Sequence, residues 1–162
     1  MNKSDKDTEN NDVEISSITL QTSPNIDLVI STFEQELFVL VNTYRLSHDL
    51  LPLLTDNRLQ LAARTHNNLM AQQKILSHQL PGELPFAALG PNNDRLDAVG
   101  YNWNYCAENI ARGYTTPSAV MAGWIASPGH NANLLSPNAR DIGIAYNANG
   151  YFWTQDFGRQ FV

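Results

Sequence analysis

The sequence contains little cysteine, little positive charge and no long apolar segment. Cys106 is the one cysteine among 162 residues, so no disulfide can form within the chain. No run of about 18 or more apolar residues is present, as a transmembrane helix requires. The ten basic residues form no cluster or stripe of the kind that neutralises phosphates. We therefore expect no transmembrane segment and no nucleic-acid partner.

The first part of the chain differs from the rest in charge. Residues 1–27 contain six of the 16 acidic residues but two of the ten basic ones. They offer few apolar groups to bury and lack the apolar core of a secretory signal. We expect residues 1–26 to form a disordered or loosely docked acidic tail, followed by one domain at residues 27–162. Without further information, these features favour a cytoplasmic protein.

Local patterns predict helices early in the chain. A first helix is indicated by apolar residues at helical spacing: Phe33, Leu37, Leu40, Val41 and Tyr44. Asp56 is placed as the N-cap of a second helix, whose inner face includes His66 as a hydrogen-bonded core residue. Thr116 and Ser127, each followed by proline, begin two further helices. Residues 77–93 are rich in proline and glycine and are predicted to form a long loop.

The end of the chain predicts a β-hairpin. Two alternating runs flank Asn149 and Gly150, a strong turn signal. The inward residues of this hairpin are predicted to be Ile142, Ile144, Tyr146, Tyr151, Trp153, Gln155 and Phe157. Because this face is strongly aromatic, we interpret it as core and not as a ligand-binding platform. Helices followed by strands favour a layered α+β domain over a doubly wound sheet.

Three polar residues are candidates for a functional site. His78 lies at the start of the long loop, where the backbone can direct it into a cleft. His130 lies in the first turn of a short helix, where the helix dipole favours the neutral imidazole that a metal or a general base requires. Glu108 is a carboxylate in an apolar stretch and therefore needs partners. Two purely local roles also remain open at this point. In one, His130 caps nearby backbone groups, and in the other, Glu108 bonds to a nearby loop.

Six segments in this order resemble the bacterial branch of the CAP superfamily, which includes cysteine-rich secretory proteins, antigen 5 and plant pathogenesis-related proteins. The segments are LVNTYRLSHDLLPLL, LAARTHNNLM, LSH, AENIARGY, GWIASPGHNANLL and IGIAY…YFWTQDFG. The resemblance covers about residues 30–159. It implies a three-layer α-β-α sandwich with a small antiparallel sheet, and a cleft lined by histidines and acidic residues. Some members bind a divalent metal in that cleft.

The resemblance assigns the candidate residues only in part. His78 matches the first histidine of the family cleft and Glu108 matches its first glutamate. Ser127 stands where a second acid is expected, and Phe152 stands where a second histidine is expected. The bacterial segment supplies His130 instead. We therefore expect His78, Glu108 and His130 to converge on one cleft, as candidate catalytic residues and as ligands of a weakly bound divalent metal such as zinc.

The resemblance favours a secreted or cell-envelope binding module for an extracellular lipid, cell-wall component or protein. A first alternative is a metal-assisted or general-base hydrolase acting on peptide or cell-wall material. A second alternative is a structural or interaction protein whose cleft has no function. In each case we expect a monomer.

Overall fold

The computed structural model describes residues 31–90 and 92–162. The predicted acidic tail, residues 1–26, lies outside the described residues. In chain order the elements are α1 (Thr32–Leu46), β1 (Leu54–Thr55), α2 (Asn57–Gln73), α3 (Arg95–Ala98), β2 (Trp103–Arg112), α4 (Pro117–Ala126), α5 (Pro128–Leu134), β3 (Asp141–Asn147) and β4 (Phe152–Gln160). No helix in these two ranges is long and apolar enough to cross a membrane.

The three predicted helix starts are confirmed, two of them by capping bonds. The Asp56 side chain accepts hydrogen bonds from the backbone of Arg58 and Leu59 at the start of α2. Thr116 caps α4 through the backbone N–H of Ala119. Ser127 also begins a helix, α5, but its side chain makes no capping bond. Its hydroxyl is therefore available for another partner, which is described below.

The sheet has the strand order β1-β3-β4-β2. The pairs β3–β4 and β2–β4 are antiparallel, whereas β1 pairs with the first residues of β3 in parallel. The predicted antiparallel sheet is therefore a mixed one, because the short β1 was not anticipated. Helices α2 and α3 cover one face, and α1, α4 and α5 cover the other. The α+β class and the three layers agree with the prediction.

The terminal hairpin lies in the core, as its aromatic pattern predicts. The predicted inward residues that are buried under α1 and α4 include Ile142, Ile144, Trp153 and Phe157. One detail of the prediction is wrong. Tyr151 lies in the turn with φ of 54° and is 42% exposed, so it is not part of the inward face. The opposite face is also buried, because α2 covers it, and both Phe152 and Asp156 are fully enclosed.

Helix α2 packs very closely against β3. At Gly143, a Cβ atom would collide with the backbone carbonyl group of Leu59, so only glycine permits this approach. The contact brings Gln60 to the edge of β3 beyond the end of β1. Its side-chain amide donates to the carbonyl of Ile144 and accepts from the Ile144 N–H at 2.8 Å. Gln60 thus takes the place of a neighbouring strand and satisfies both backbone groups.

We predict that replacing Gln60 with leucine will destabilise the fold, because the substitution leaves two buried backbone groups of Ile144 without partners. Loss of such partners costs about 2–4 kcal/mol in the free energy of unfolding. Gln72→Leu, at an exposed position of the same helix, is the matched control and should change stability by less than about 0.5 kcal/mol. Urea unfolding of both variants measures the difference. Equal stabilities for the two variants would contradict the assignment.

Candidate functional site

Two of the three predicted site residues are in direct contact. His78 lies in the loop after α2, and its Nδ1 is 2.8 Å from Oε1 of Glu108 on β2. An ionised carboxylate only accepts hydrogen bonds, so Nδ1 carries the proton of this bond and Nε2 is the nitrogen that faces away from Glu108. The His78 side chain is 58% exposed, whereas that of Glu108 is 2% exposed. A buried carboxylate therefore fixes the tautomer and the orientation of an exposed imidazole.

Arg95, at the start of α3, holds the Glu108 carboxylate from the other side. Its Nη1 and Nη2 donate to Oε2 and Oε1 of Glu108 at 2.8 and 3.0 Å. This two-point geometry is the strongest form of an arginine–carboxylate pair. Nη2 also donates to the backbone carbonyl of His78 at 2.7 Å. One guanidinium therefore positions both the carboxylate and the backbone of the histidine that the carboxylate orients.

The environment of Glu108 keeps it ionised. Burial by itself raises the pKa of this carboxyl, but the hydrogen bonds from His78 and Arg95 and the charge of Arg95 outweigh it. The result is a pKa of about 2. A carboxylate with so low a pKa, and with both oxygens engaged, is a weak general base.

A second acid lies beside Glu108 inside the protein. Asp156 on β4 is the direct cross-strand partner of Glu108 on β2 and is fully buried. Burial, and then the charge of Glu108, raise the pKa of Asp156 well above its usual value. Neither carboxyl oxygen of Asp156 has a hydrogen-bond donor among the described residues. A proton retained on Asp156 and shared with Glu108 satisfies this pair, which then carries one negative charge.

The loop is joined to this cluster through Glu83. Its Oε1 is 2.7 Å from Nδ1 of His66, and its Oε2 accepts from the backbone N–H of Leu80. His66 is fully buried, which confirms the prediction of a hydrogen-bonded core histidine. The residues predicted from the sequence did not include Glu83, Arg95 or Asp156. Glu83 and Asp156 carry the signal that selected Glu108, an isolated acid in an apolar segment.

His130 lies on α5 and is half-buried. Its Nδ1 is 2.8 Å from Oγ of Ser127, the hydroxyl that is free of capping. Its backbone carbonyl accepts from the side chain of Asn109, the neighbour of Glu108 on β2. Burial, and then the electrostatic interaction with the neighbouring His78 imidazole, lower the pKa of His130. This shift favours the neutral ring, with burial and not the helix dipole as the leading cause.

The three predicted residues are not joined in one contact. His78 and Glu108 are hydrogen-bonded, and His130 is near enough to His78 for their charges to interact. Within residues 31–90 and 92–162, no group of three or more histidine, cysteine, aspartate or glutamate residues is arranged to hold a metal ion. The arrangement instead presents two imidazoles of fixed orientation, one of which is held in place by buried charged side chains.

Comparison with known proteins shows similarity over most of the described chain. The family model of the cysteine-rich secretory protein family (CAP) matches residues 38–157. The uncharacterised protein YkwD of Bacillus subtilis is 34% identical over 128 residues, which are 79% of this chain and 48% of that protein. The uncharacterised membrane protein YlbC of the same organism is 28% identical over 78% of this chain and 34% of its own length. The chain thus spans about half of one relative and a third of the other.

Solved structures agree in fold. An extracellular protein of Bacillus anthracis that contains an SCP domain is 31% identical, with a TM-score of 0.68 over 78% of this chain and 40% of that chain. An outer surface protein of Borrelia burgdorferi is 22% identical, with a TM-score of 0.70 over 82% of this chain and 97% of that chain. The second likeness is evidence for the fold alone.

We predict that Asp156→Asn will stabilise the protein at neutral pH. On unfolding, Asp156 ionises above its ordinary pKa, whereas the folded protein keeps it protonated, so this residue lowers stability as the pH rises. Asparagine has nearly the same size as aspartic acid and can also donate a hydrogen bond. It does not ionise, so this position no longer makes stability depend on pH. The stability gain should therefore grow with pH, by up to about 1.4 kcal/mol per unit while the wild-type residue stays protonated.

Urea unfolding at pH 4.5 and at pH 7.5, chosen as roughly the acidic and neutral ends of the usual stability range, measures this gain. Asp49→Asn, at an exposed carboxylate, is the control for the loss of one negative charge. Glu108 contributes in the opposite sense. Its lowered pKa gives stability that is present above its ordinary pKa and is lost as the pH falls toward about 2. A variant Asp156→Asn with the same stability difference at both pH values would contradict the shared proton.

Proposed function

The chain belongs to the cysteine-rich secretory protein family, and from this we propose that it is an extracellular binding module that presents His78 and His130 to its ligand. The observation that carries the proposal is the exposed His78 imidazole, which Glu108 holds from a buried position. The structural histidine His66 is fully enclosed, and the exposed His48 is bonded to a backbone carbonyl and not to a buried charge. Here the Glu108 carboxylate is buried, whereas the His78 ring that it holds is open to solvent.

The energetic cost of burying the charged pair that holds His78 favours a functional role for this histidine. Burying a charged pair costs desolvation that its mutual attraction rarely exceeds, so apolar residues of equal size would stabilise the fold as well or better. The side chains of Arg95 and Glu108 are 7% and 2% exposed. The presence of this buried charged pair is explained if its role is to orient the His78 ring. The exposed Nε2 of His78 makes no hydrogen bond to the described residues, so it is available to a ligand.

The proposal includes a weakly bound divalent metal. Two neutral imidazoles are suitable zinc ligands, and a carboxylate bonded to the far nitrogen of such a ligand is a common support. In this proposal His78 and His130 are the metal ligands. Glu108 orients His78, because its oxygens are buried and engaged with Arg95 and His78. A bound metal would supply an electrophilic contact for a carboxylate, phosphate or carbonyl group of the ligand.

The hydrolase alternative has less support. It requires Glu108 as a base, and the bonds from Arg95 and His78 hold its pKa near 2. The alternative of a cleft without function has no use for an exposed, oriented imidazole. Neither alternative is favoured by a specific contact among the described residues.

An extracellular location is part of the proposal. Its support is family membership and the 31% identical Bacillus anthracis relative, which is described as an extracellular protein. We expect fractionation of the native cells to place the protein in the culture medium or the cell envelope. Protease treatment of intact cells distinguishes surface exposure from a location inside the membrane. Recovery from the cytosol alone would refute this part of the proposal.

The histidine pair is tested by titrating the protein with zinc in a calorimeter. We expect weak, saturable binding by the wild type, and a loss of at least about tenfold in affinity for His78→Ala and for His130→Ala. His48→Ala is the matched control, because His48 is exposed at the end of α1 and bonds to the carbonyl of Tyr44.

Thermal unfolding of the same variants separates function from structure. The His78 ring is 58% exposed, so its removal should change stability by less than about 1 kcal/mol. Absence of zinc binding by the wild type, together with a large loss of stability in His78→Ala, would make the cluster a structural tie.

A further inference from the structure

A second candidate site lies away from the histidines. An open groove of about 610 Å³ lies between the loop before α3, the start of β2 and the residues after β4. Neither His78 nor His130 lines it. The lining residues that matter for its chemistry are Asp97, Asn102, Trp103, Asn104 and Phe161. Five of the ten lining residues carry an aromatic ring or a side-chain amide, and none is basic.

The indole of Trp103 is held in place by a buried acid. Its Nε1 donates to Oδ2 of Asp94 at 3.0 Å, and Asp94 is fully enclosed. Asp94 also accepts from the backbone N–H groups of Ala88 and Asp97, so its position is fixed. One side of the indole packs on the core cluster around Leu96, and the ring remains half-buried at the groove. A fully buried carboxylate therefore orients an aromatic ring that is partly exposed to solvent.

The rest of the groove complements this ring. The backbone N–H of Phe161 donates to the carbonyl of Asn102, which holds Phe161 beside the start of β2 while its ring stays 62% exposed. The sheet register shifts between Trp103 and Tyr105, and this irregularity includes Asn104. Asn104 accepts from Arg159 through Oδ1, which leaves its side-chain N–H groups available. Asn102 is exposed and contributes a further amide.

We propose that this groove binds an uncharged saccharide. A sugar ring has apolar C–H faces and a rim of hydroxyls, so it matches an oriented aromatic ring that is bordered by amides. The acidic Asp97 and the lack of lining cations disfavour an anionic ligand. The amides interrupt the apolar surface that a lipid chain would need. This site goes beyond the proposed function and does not depend on the two histidines.

The test is a titration of the full chain with triacetylchitotriose and, separately, with cellotriose, followed by calorimetry and tryptophan fluorescence. Trp124 and Trp153 are 2% and 0% exposed, so a fluorescence change on sugar binding reports on Trp103. We expect saturable heat and a shift of emission to shorter wavelength. Binding of the acetylated sugar alone indicates recognition of its acetamido groups, and binding of both indicates recognition of ring and hydroxyls. Each of these results supports the site.

Variants locate the binding. Phe161→Ala and Asn102→Ala alter exposed side chains and should weaken binding by at least about fivefold. Trp103→Phe preserves the packing of the ring and should abolish the fluorescence response. Leu54→Ala is the matched control, because Leu54 is 68% exposed on β1 at the opposite edge of the sheet. It should bind as the wild type does.

His78→Ala should also bind the sugars as the wild type does, so this result separates the groove from the histidine pair. The absence of both heat and fluorescence change with both sugars would overturn the proposal. So would binding that Phe161→Ala and Asn102→Ala leave unchanged.

Discussion

The buried pair between Arg95 and Glu108 is the interaction on which the candidate site depends. It joins α3 to β2 and, through the carbonyl of His78, fastens the loop after α2 to both. That loop is rich in proline and glycine and contributes few side chains to the core, with Leu80 as its one fully buried apolar residue in the described range 77–90. Charge and hydrogen bonds therefore hold it in place. Removal of either partner leaves an unpaired buried charge, which costs about 3–5 kcal/mol in related cases.

The short helix α3 connects the two proposed sites. Asp94 caps this four-residue helix and also fixes Trp103, whereas its neighbour Arg95 points to Glu108. The same physical arrangement occurs twice, since a buried carboxylate orients a more exposed ring in each case. Adjacent residues of opposite charge thus direct an indole and an imidazole to different surfaces. A helix so short has little stability of its own, so these two contacts, and not its internal bonds, account for its position.

The sequence predicted the features that depend on neighbouring residues. Helix caps at Asp56 and Thr116, the hairpin turn at Asn149-Gly150 and the inward position of Trp153 all follow from patterns within a few residues. Features set by distant pairing were missed. The position of Asp156 opposite Glu108 depends on the register between β2 and β4, which are separated by two helices and a strand. Arg95 was missed because nothing in the loop sequence indicates which distant carboxylate it meets.

The two faces of the sheet differ in polarity. Under α1 and α4 the sheet presents Trp153 and Phe157 to an apolar core. Under α2 it presents Glu108, Asp156 and Thr154, with Thr154 bonded to Asn67. A protein selected for stability alone would fill the second face with apolar groups, because a protonated acid lowers stability at neutral pH and a buried ion pair seldom stabilises more than apolar residues of the same size. The polar layer ends at His78, where it meets solvent. Burying these polar groups costs stability, and the groups lead to one exposed ring, that of His78. This arrangement therefore supports a functional site at this position, independently of family membership.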